Sequence, residues 1–526
     1  MKKLVCFIEK FIIVCFVIMY SLVLLNNVVF QYLDYYFKRE FALPNIIMIV
    51  LAILLFYGGC KWYASNKEKV ERLLLNSDKI IWIGTIFLLV FQLFLSTNIY
   101  FLTGWDPGML TRNADYVANG QVSEYINWYY SQYPNNSLLT AIYSIVFWCA
   151  EHIGIPSVAV RLLIVFGQCA ISSWTGYLLY KCAKKMFCER IAPMMVWVLY
   201  VLVQGISPWV VIPYSDASCL FIPMLLFWIY QSMENGRLVI GKAVSLGIIG
   251  YLGYEMKPMV IIVVLAILGI EFLENMKQKF NKKNWKVFFV ICVSLVCTVG
   301  VCSRIDLNKI MGFEITEGRQ FGITHYFMMG LGDENDGVYD ENDVDFSREY
   351  NTNAQRNHAN LVEAGKRIKD YGVVGLLKHT VKKALVNFND GTFAWGNEGG
   401  FYGILLPIPN NPITNFVRSF YMENASNGWW FDNISQLIWI ITLVGVVGNI
   451  AVFRRLKDGF DKYSLVAYTA MIGIGMFVML FEARARYLYT FIPFFVMMSV
   501  KGYCEWYQWN KKRRNDLENK RKRQLL

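Results

Sequence analysis

Charge is what this 526-residue chain has least of: 17% of its residues are charged, against 56% hydrophobic. Soluble domains carry about a quarter charged residues, so the shortfall places the chain in a membrane. Cysteine is missing where an oxidising exterior would use it. None of the 12 cysteines lies between Arg304 and Asp432, the longest polar region, so no disulfide framework is expected there. Heptads, low-complexity tracts and internal duplications are also absent. The start, Met1-Lys2-Lys3 and then apolar Phe11 to Phe30, imitates a signal peptide. Its apolar part is too long and no small-x-small site follows, so it reads as a retained first span.

The net charge of +12 is explained by its location rather than by nucleic-acid binding. Residues 501–526 hold nine Lys/Arg against three acids, a pattern that suits a cytoplasmic anchor. Cys292, Cys297 and Cys302 recur every five residues along an apolar helix, which reads as packing rather than metal binding.

Twelve apolar segments lie near 11–30, 44–63, 79–102, 157–180, 191–207, 217–232, 240–254, 258–273, 286–303, 433–453, 463–481 and 487–503. The expected fold is therefore an all-α polytopic membrane protein with about 12 transmembrane helices. Placing the basic loops Lys61–Lys79, Lys181–Arg190, Lys277–Lys286 and Arg454–Lys462 inside, with the tail, puts both termini in the cytoplasm. This requires residues 137–150, closed by Glu151-His152, to be re-entrant or interfacial, because about 20 residues are needed to cross. The organisation read from this is an N-terminal helical hairpin, 1–78, then a transmembrane module, 79–303, with its first outer loop at 103–156. An extracytoplasmic region, 304–432, precedes the last spans, 433–505, and a basic tail, 506–526.

Residues 304–432 carry 12 Lys/Arg and 17 Asp/Glu, a net of −5. Within them Leu361 to Phe388 is amphipathic, with Ile368, Val373, Leu377 and Leu385 opposed to Lys366, Arg367, Lys378 and Lys382. That pattern suits a helix pair lying on the membrane or over a catalytic face.

Four polar elements share the outer side. They are Gly104-Trp105-Asp106-Pro107-Gly108 with Asp115 and Tyr133-Pro134-Asn135-Asn136; Pro213-Tyr214-Ser215-Asp216; Tyr254-Glu255-Met256-Lys257-Pro258; and Glu482-Ala483-Arg484-Ala485-Arg486-Tyr487. Charges at the edge of apolar segments are costly and are usually kept for function; snorkelling is the competing reading of any one of them. The chemistry that fits is glycosyl transfer from a lipid-linked phosphosugar. One carboxylate, Asp106, serves as base for the acceptor hydroxyl. The leaving lipid phosphate needs cations, which Lys257, Arg484 and Arg486 supply. Trp105, Tyr116, Tyr129, Tyr130, Tyr133 and Tyr214 suit sugar faces or, alternatively, an interfacial aromatic belt. Arg484 and Arg486 point about 200° apart on a helix, so both meet one phosphate only if that segment is unwound. Arg486, beside Tyr487, is the favoured donor contact.

The layout resembles the GT-C class of polytopic glycosyltransferases, in its protein O-mannosyltransferase-like and aminoarabinose-transferase-like branch. Asp106 occupies the place of the acidic residue in that class's first outer loop. Tyr133-Pro134-Asn135-Asn136 and the Gly154 to Arg161 passage resemble its proline-bearing stretch and Gly-x-x-x-x-x-x-Arg. The Pro213–Asp216 turn and Arg484-Ala485-Arg486-Tyr487 are similar to its later outer elements. The resemblance covers roughly 79–505. It implies a polyprenyl-phosphate sugar donor and an extracytoplasmic glycan, lipid or protein acceptor; with the polar elements above, the expected substrate contacts are Asp115, Tyr133, Asn135, Asn136, Asp216, Lys257, Glu482, Arg484 and Arg486. Where the class often has an Asp-Glu pair, Asp106 is followed by Pro107, so a tightly bound divalent metal is not implied. Residues 304–432 have no general counterpart in the class. They suggest a Gram-positive cell-surface branch in the bacterial plasma membrane. In them His325, of Thr324-His325-Tyr326, either orients the acceptor or donor phosphate or is structural.

Two rivals belong to other classes. A lipid or sugar transporter predicts internal repeats and charges near span midpoints, and neither is seen. A polysaccharide polymerase or ligase also uses lipid-linked donors but leans on arginine and histidine in a late outer loop, an option that 304–432 keeps open.

Overall fold

The computed structural model describes residues 2–233, 238–277, 282–405, 411–455 and 460–525, with side chains omitted at 282–284, 404–405, 454–455 and 514–525. Parts of the basic loops expected at 277–286 and 454–462, and most side chains of the basic tail, fall outside the described residues. The chain is an all-α polytopic membrane protein. Among the described residues, eight helices are long and apolar enough to cross a bilayer: Lys2–Val29, Asn45–Ser65, Ser77–Ile99, Ser157–Met186, Pro258–Lys277, Trp285–Cys302, Gly428–Phe453 and Lys462–Leu480.

The other four apolar segments form shorter or more polar helices. Ala192–Tyr200 ends in a single π turn, and a separate helix spans Phe221–Gln231. Pro208, Pro213 and Pro223 explain the shortness, because proline lacks the N–H that would continue an α-helical ladder. Val239–Met256 has 18 residues, and Ile492–Leu525 runs on from an apolar start into the basic tail. Ser137–His152 is a helix of 16 residues, about 24 Å at 1.5 Å per residue, short of a ~30 Å hydrocarbon core. It lies against Asp106–Ala118 and Ser157–Met186.

The N-terminal helices pack into the rest of the chain. Lys2–Val29 lies against Lys462–Leu480 and Gly428–Val447, and Asn45–Ser65 against Gly428–Val447. A buried amide network ties them to the region before the site: Asn45 Nδ2 donates to Asn389 Oδ1 (2.7 Å), and Gln436 Nε2 donates to Asn45 Oδ1 (3.0 Å). In hydrocarbon surroundings such groups must be satisfied internally, so the network fixes its partners in register.

Residues 353–388 form one helical run broken at Gly372 (φ 56°), the helix pair expected from the amphipathic pattern. Phe101–Leu102 and Ile404–Leu405 make a two-residue antiparallel ladder. It brings the segment after Phe388 back beside the Gly104–Gly108 turn, and that return positions the site.

Candidate functional site

Asp106 begins the helix Asp106–Ala118 with Pro107 in its first turn, where the missing N–H costs nothing. Gly108 follows because a Cβ there would stand 1.9 Å from the Thr103 carbonyl oxygen. The turn therefore fixes the carboxylate at a helix N-terminus, where the helix dipole favours negative charge.

Two tyrosines hold that carboxylate. Tyr129 Oη donates to Asp106 Oδ1 (2.9 Å) and Tyr214 Oη to Oδ2 (3.0 Å). Asn136 Nδ2 in turn donates to Tyr129 Oη at 2.8 Å, which orients the phenol. Burial raises the Asp106 pKa above the ordinary carboxylate range; the two phenols and Arg486 pull the other way without cancelling it. A carboxylate has about four lone-pair sites, so two phenols leave room for a substrate hydroxyl.

Beside Asp106 lies a buried ionic cluster drawn from four separate chain segments. Lys257 Nζ is 2.6 Å from Asp216 Oδ1, and Arg486 Nη1 is 3.0 Å from Asp216 Oδ2. Arg486 Nε reaches Glu398 Oε1 at 2.8 Å, and Arg484 Nη2 reaches Glu398 Oε2 at 3.2 Å. Glu482 lies 3.8 Å from Arg484 Nε; burial raises its carboxyl pKa against the pull of both arginines. The Arg486 guanidinium also faces the rings of Trp105 (4.8 Å), Tyr487 (4.9 Å) and Tyr214 (5.4 Å). Arg486 and Asp106 thus share Tyr214 as a neighbour.

Both arginines meet one anion because their segment is not α-helical. Arg484 is extended (φ −160°, ψ 126°) and a 3₁₀ turn, Ala485–Phe491, follows it. Arg486 is paired on both sides. The unpaired donors belong to Arg484, whose Nε and Nη1 are buried without hydrogen-bond partners, as is Trp105 Nε1.

The remaining residues named from the sequence sit at varying distance from this centre. Tyr133 stacks beside Tyr129 (5.2 Å between centroids), one ring away from Asp106. Asn135 is exposed and reaches only Asn136, at 3.4 Å. Asp115 accepts from Ser157 Oγ (2.9 Å) and Arg161 Nη2 (3.2 Å), so it clasps the Gly154–Arg161 passage to Asp106–Ala118. His325 is buried in a core of its own: Nδ1 meets Ser347 Oγ at 2.7 Å and the ring stacks on Phe321 at 4.3 Å. Burial brings its pKa down to about 4, so it is neutral at physiological pH. The next residue, Tyr326, lies within electrostatic reach of the site. Burial and the nearby Tyr133, Glu482 and Asp106 push its phenol pKa far up.

Glu398, Tyr326 and the hydrogen bonds of Tyr129 and Tyr214 to Asp106 were not foreseen in their roles. Glu398 had a signal: it is the one acid between Asp390 and Glu423, inside Trp395-Gly396-Asn397-Glu398-Gly399-Gly400. Among the described residues no three His, Cys, Asp or Glu side chains are arranged to hold a metal ion.

Taken chemically, the centre joins a proton acceptor, aromatic faces and a row of cations at one end of a membrane-embedded helix assembly. A family model for conserved hypothetical integral membrane proteins matches residues 3–503. The chain belongs to that family. The match takes in the N-terminal helices, every site segment and the start of the last long helix, so these parts of the integral membrane protein go together. No curated protein matches the chain.

Proposed function

We propose that this integral membrane protein is a glycosyltransferase of the GT-C type. It moves a hexose or pentose from a polyprenyl-phosphate donor to an extracytoplasmic glycan, lipid or protein acceptor, in a bacterial plasma membrane with both termini cytoplasmic. The observation that carries the reading is Asp106. Its carboxylate is held by two phenols, has a raised pKa, and lies one tyrosine away from the paired arginines.

In this reading Asp106 takes the proton of the acceptor hydroxyl as its oxygen attacks the anomeric carbon. The bond from that carbon to the donor's phosphate oxygen breaks, and the lipid phosphate leaves as an anion that needs no acid. Arg484 and Arg486 stabilise the departing charge. Trp105, Tyr133 and Tyr214 lie against the sugar, and Asn136 acts through Tyr129. Asp216 and Lys257 hold Arg486 in place.

The test is consumption of donor. Membranes containing the protein should draw labelled sugar out of a polyprenyl-phosphate-linked pool faster than membranes lacking it. Equal rates with every hexosyl and pentosyl donor tried would overturn the reading.

A further inference from the structure

Glu398 reaches the arginines from the outside of the molecule. Its side chain is 7% exposed, yet the next two residues, Gly399 and Gly400, lie on the surface. It spans Arg484 and Arg486 with one oxygen each, at 3.2 and 2.8 Å, as a phosphate oxygen pair would. Arg484 is 5% exposed; its buried Nη1 has no hydrogen-bond partner, and its Nε only a long ion pair to Glu482 at 3.8 Å. A carboxylate that leaves this much donor capacity unused fits the site less fully than a tetrahedral anion with more acceptor oxygens.

The segment carrying Glu398 turns sharply, with a glycine corner on each side of it. Phe393 and Ala394 are both left-handed (φ 57° and 60°), a conformation that side-chain-bearing residues adopt only under constraint. Gly396 and Gly400 are left-handed too (φ 79° and 63°), which glycine accepts freely. Buried Trp395 and Phe401 anchor the two ends of this loop, Phe401 against Phe101, Trp105 and Trp209 and ahead of the Ile404–Leu405 ladder; between the anchors the Gly400 carbonyl accepts from Gly104 N–H at 2.7 Å, beside the turn that carries Asp106.

We infer that Glu398 is an exchangeable internal anion: a substrate phosphate displaces it from Arg484 and Arg486, and its departure lifts the loop 396–400, between the Trp395 and Phe401 anchors, from the Gly104 turn beside Asp106. This rests on the reading of the two arginines as an anion site. The device couples arrival of a phosphate to uncovering of the base. It also keeps the cluster neutralised at other times, since Lys257, Arg484 and Arg486 would otherwise share only Asp216 and Glu482.

The experiment uses the full chain in detergent, with farnesyl phosphate and inorganic phosphate as probes. Hydrogen–deuterium exchange is followed on peptides covering Gly104 and residues 396–400. Ligand binding ordinarily slows exchange; displacement predicts that exchange in these peptides becomes several-fold faster as the probe binds. Glu398→Gln should bind the probe at least about tenfold more tightly, because a competing charged partner is gone. A response to farnesyl phosphate alone identifies a lipid-linked phosphate, and a response to both probes shows that the phosphate group suffices. Binding with unchanged or slowed exchange overturns the displacement and leaves the anion site standing. Absence of binding by both wild type and Glu398→Gln removes the anion site and the inference together. If Glu398→Gln does not fold, exchange in the wild-type chain decides alone.

Discussion

Arg486 and Asp216 meet at 3.0 Å although 270 residues of sequence separate them. The contact closes the ionic cluster, because Asp216 is shared with Lys257 and Arg486 is shared with Glu398. A buried ion pair contributes little over apolar packing, but removing one member strands the others. Asp216→Asn leaves Lys257 and Arg486 short of a counter-charge and should cost roughly 3–5 kcal/mol. Thermal melting in detergent measures this; an unchanged melting temperature would show that Asp216 is not the cluster's anchor.

The Asp106 carboxylate also gives a pH signature. A base works ionised, so activity should fall as pH drops through a pKa raised above the usual Asp value of ~4. Tyr129→Phe removes a hydrogen bond to the charged form, which raises that pKa further. The acid limb of kcat/KM should therefore move about one unit towards higher pH. A limb that stays in place or moves lower would mean that another group titrates.

Lys383 supplies a separate test of the packing around the site. Burial draws its pKa down to about 7, and its Nζ donates to the Gly330 carbonyl oxygen at 2.6 Å. The unfolded chain holds this proton up to about pH 10.4, so Lys383 makes stability rise with pH between the two values. Lys383→Met should be relatively most stabilising near pH 6 and lose that advantage, by up to roughly 4 kcal/mol, towards pH 10. Melting curves across this range check the sign; an advantage that grows with pH contradicts it.

Topology is open to chemical labelling. Cysteines placed at Asn119 and Asp340 should react with an impermeant reagent added outside intact cells, while cysteines at Asn66, Lys185 and Asn515 should not. Reaction at position 185 from outside would mean that Ser137–His152 crosses the bilayer and that the later outer turns change sides.

Composition and apolar runs were enough to read the fold, because lipid permits little besides helices for such segments. Asp106, Asp216, Lys257, Arg484 and Arg486 were legible as charges that an apolar chain keeps only at a price, and the fold gathers them. Their pairing was not legible, since it depends on contacts such as Glu398 with Arg484, 86 residues apart (484 − 398). Of the two readings of His325 in Thr324-His325-Tyr326, a phosphate-orienting or a structural histidine, its burial against Phe321 and Ser347 fits the structural one. His325 packs on Phe321 while Tyr326, about 100° round the helix, is buried nearer Tyr133 and Glu482. Asp115, another residue read towards the site, pairs with Arg161, a partner 46 residues on that no local pattern announces.

The most direct measurement is transfer of labelled sugar from a polyprenyl-phosphate donor by purified Asp106→Asn beside the wild type. Asn keeps the size, its Oδ1 can accept from one phenol and its amide can donate to the oxygen of the other, so the variant should reach the membrane in normal amounts and melt close to wild type. Its turnover should fall by about 10²–10⁴, the worth of a positioned general base. Transfer at the wild-type rate by a folded Asp106→Asn protein would contradict the account.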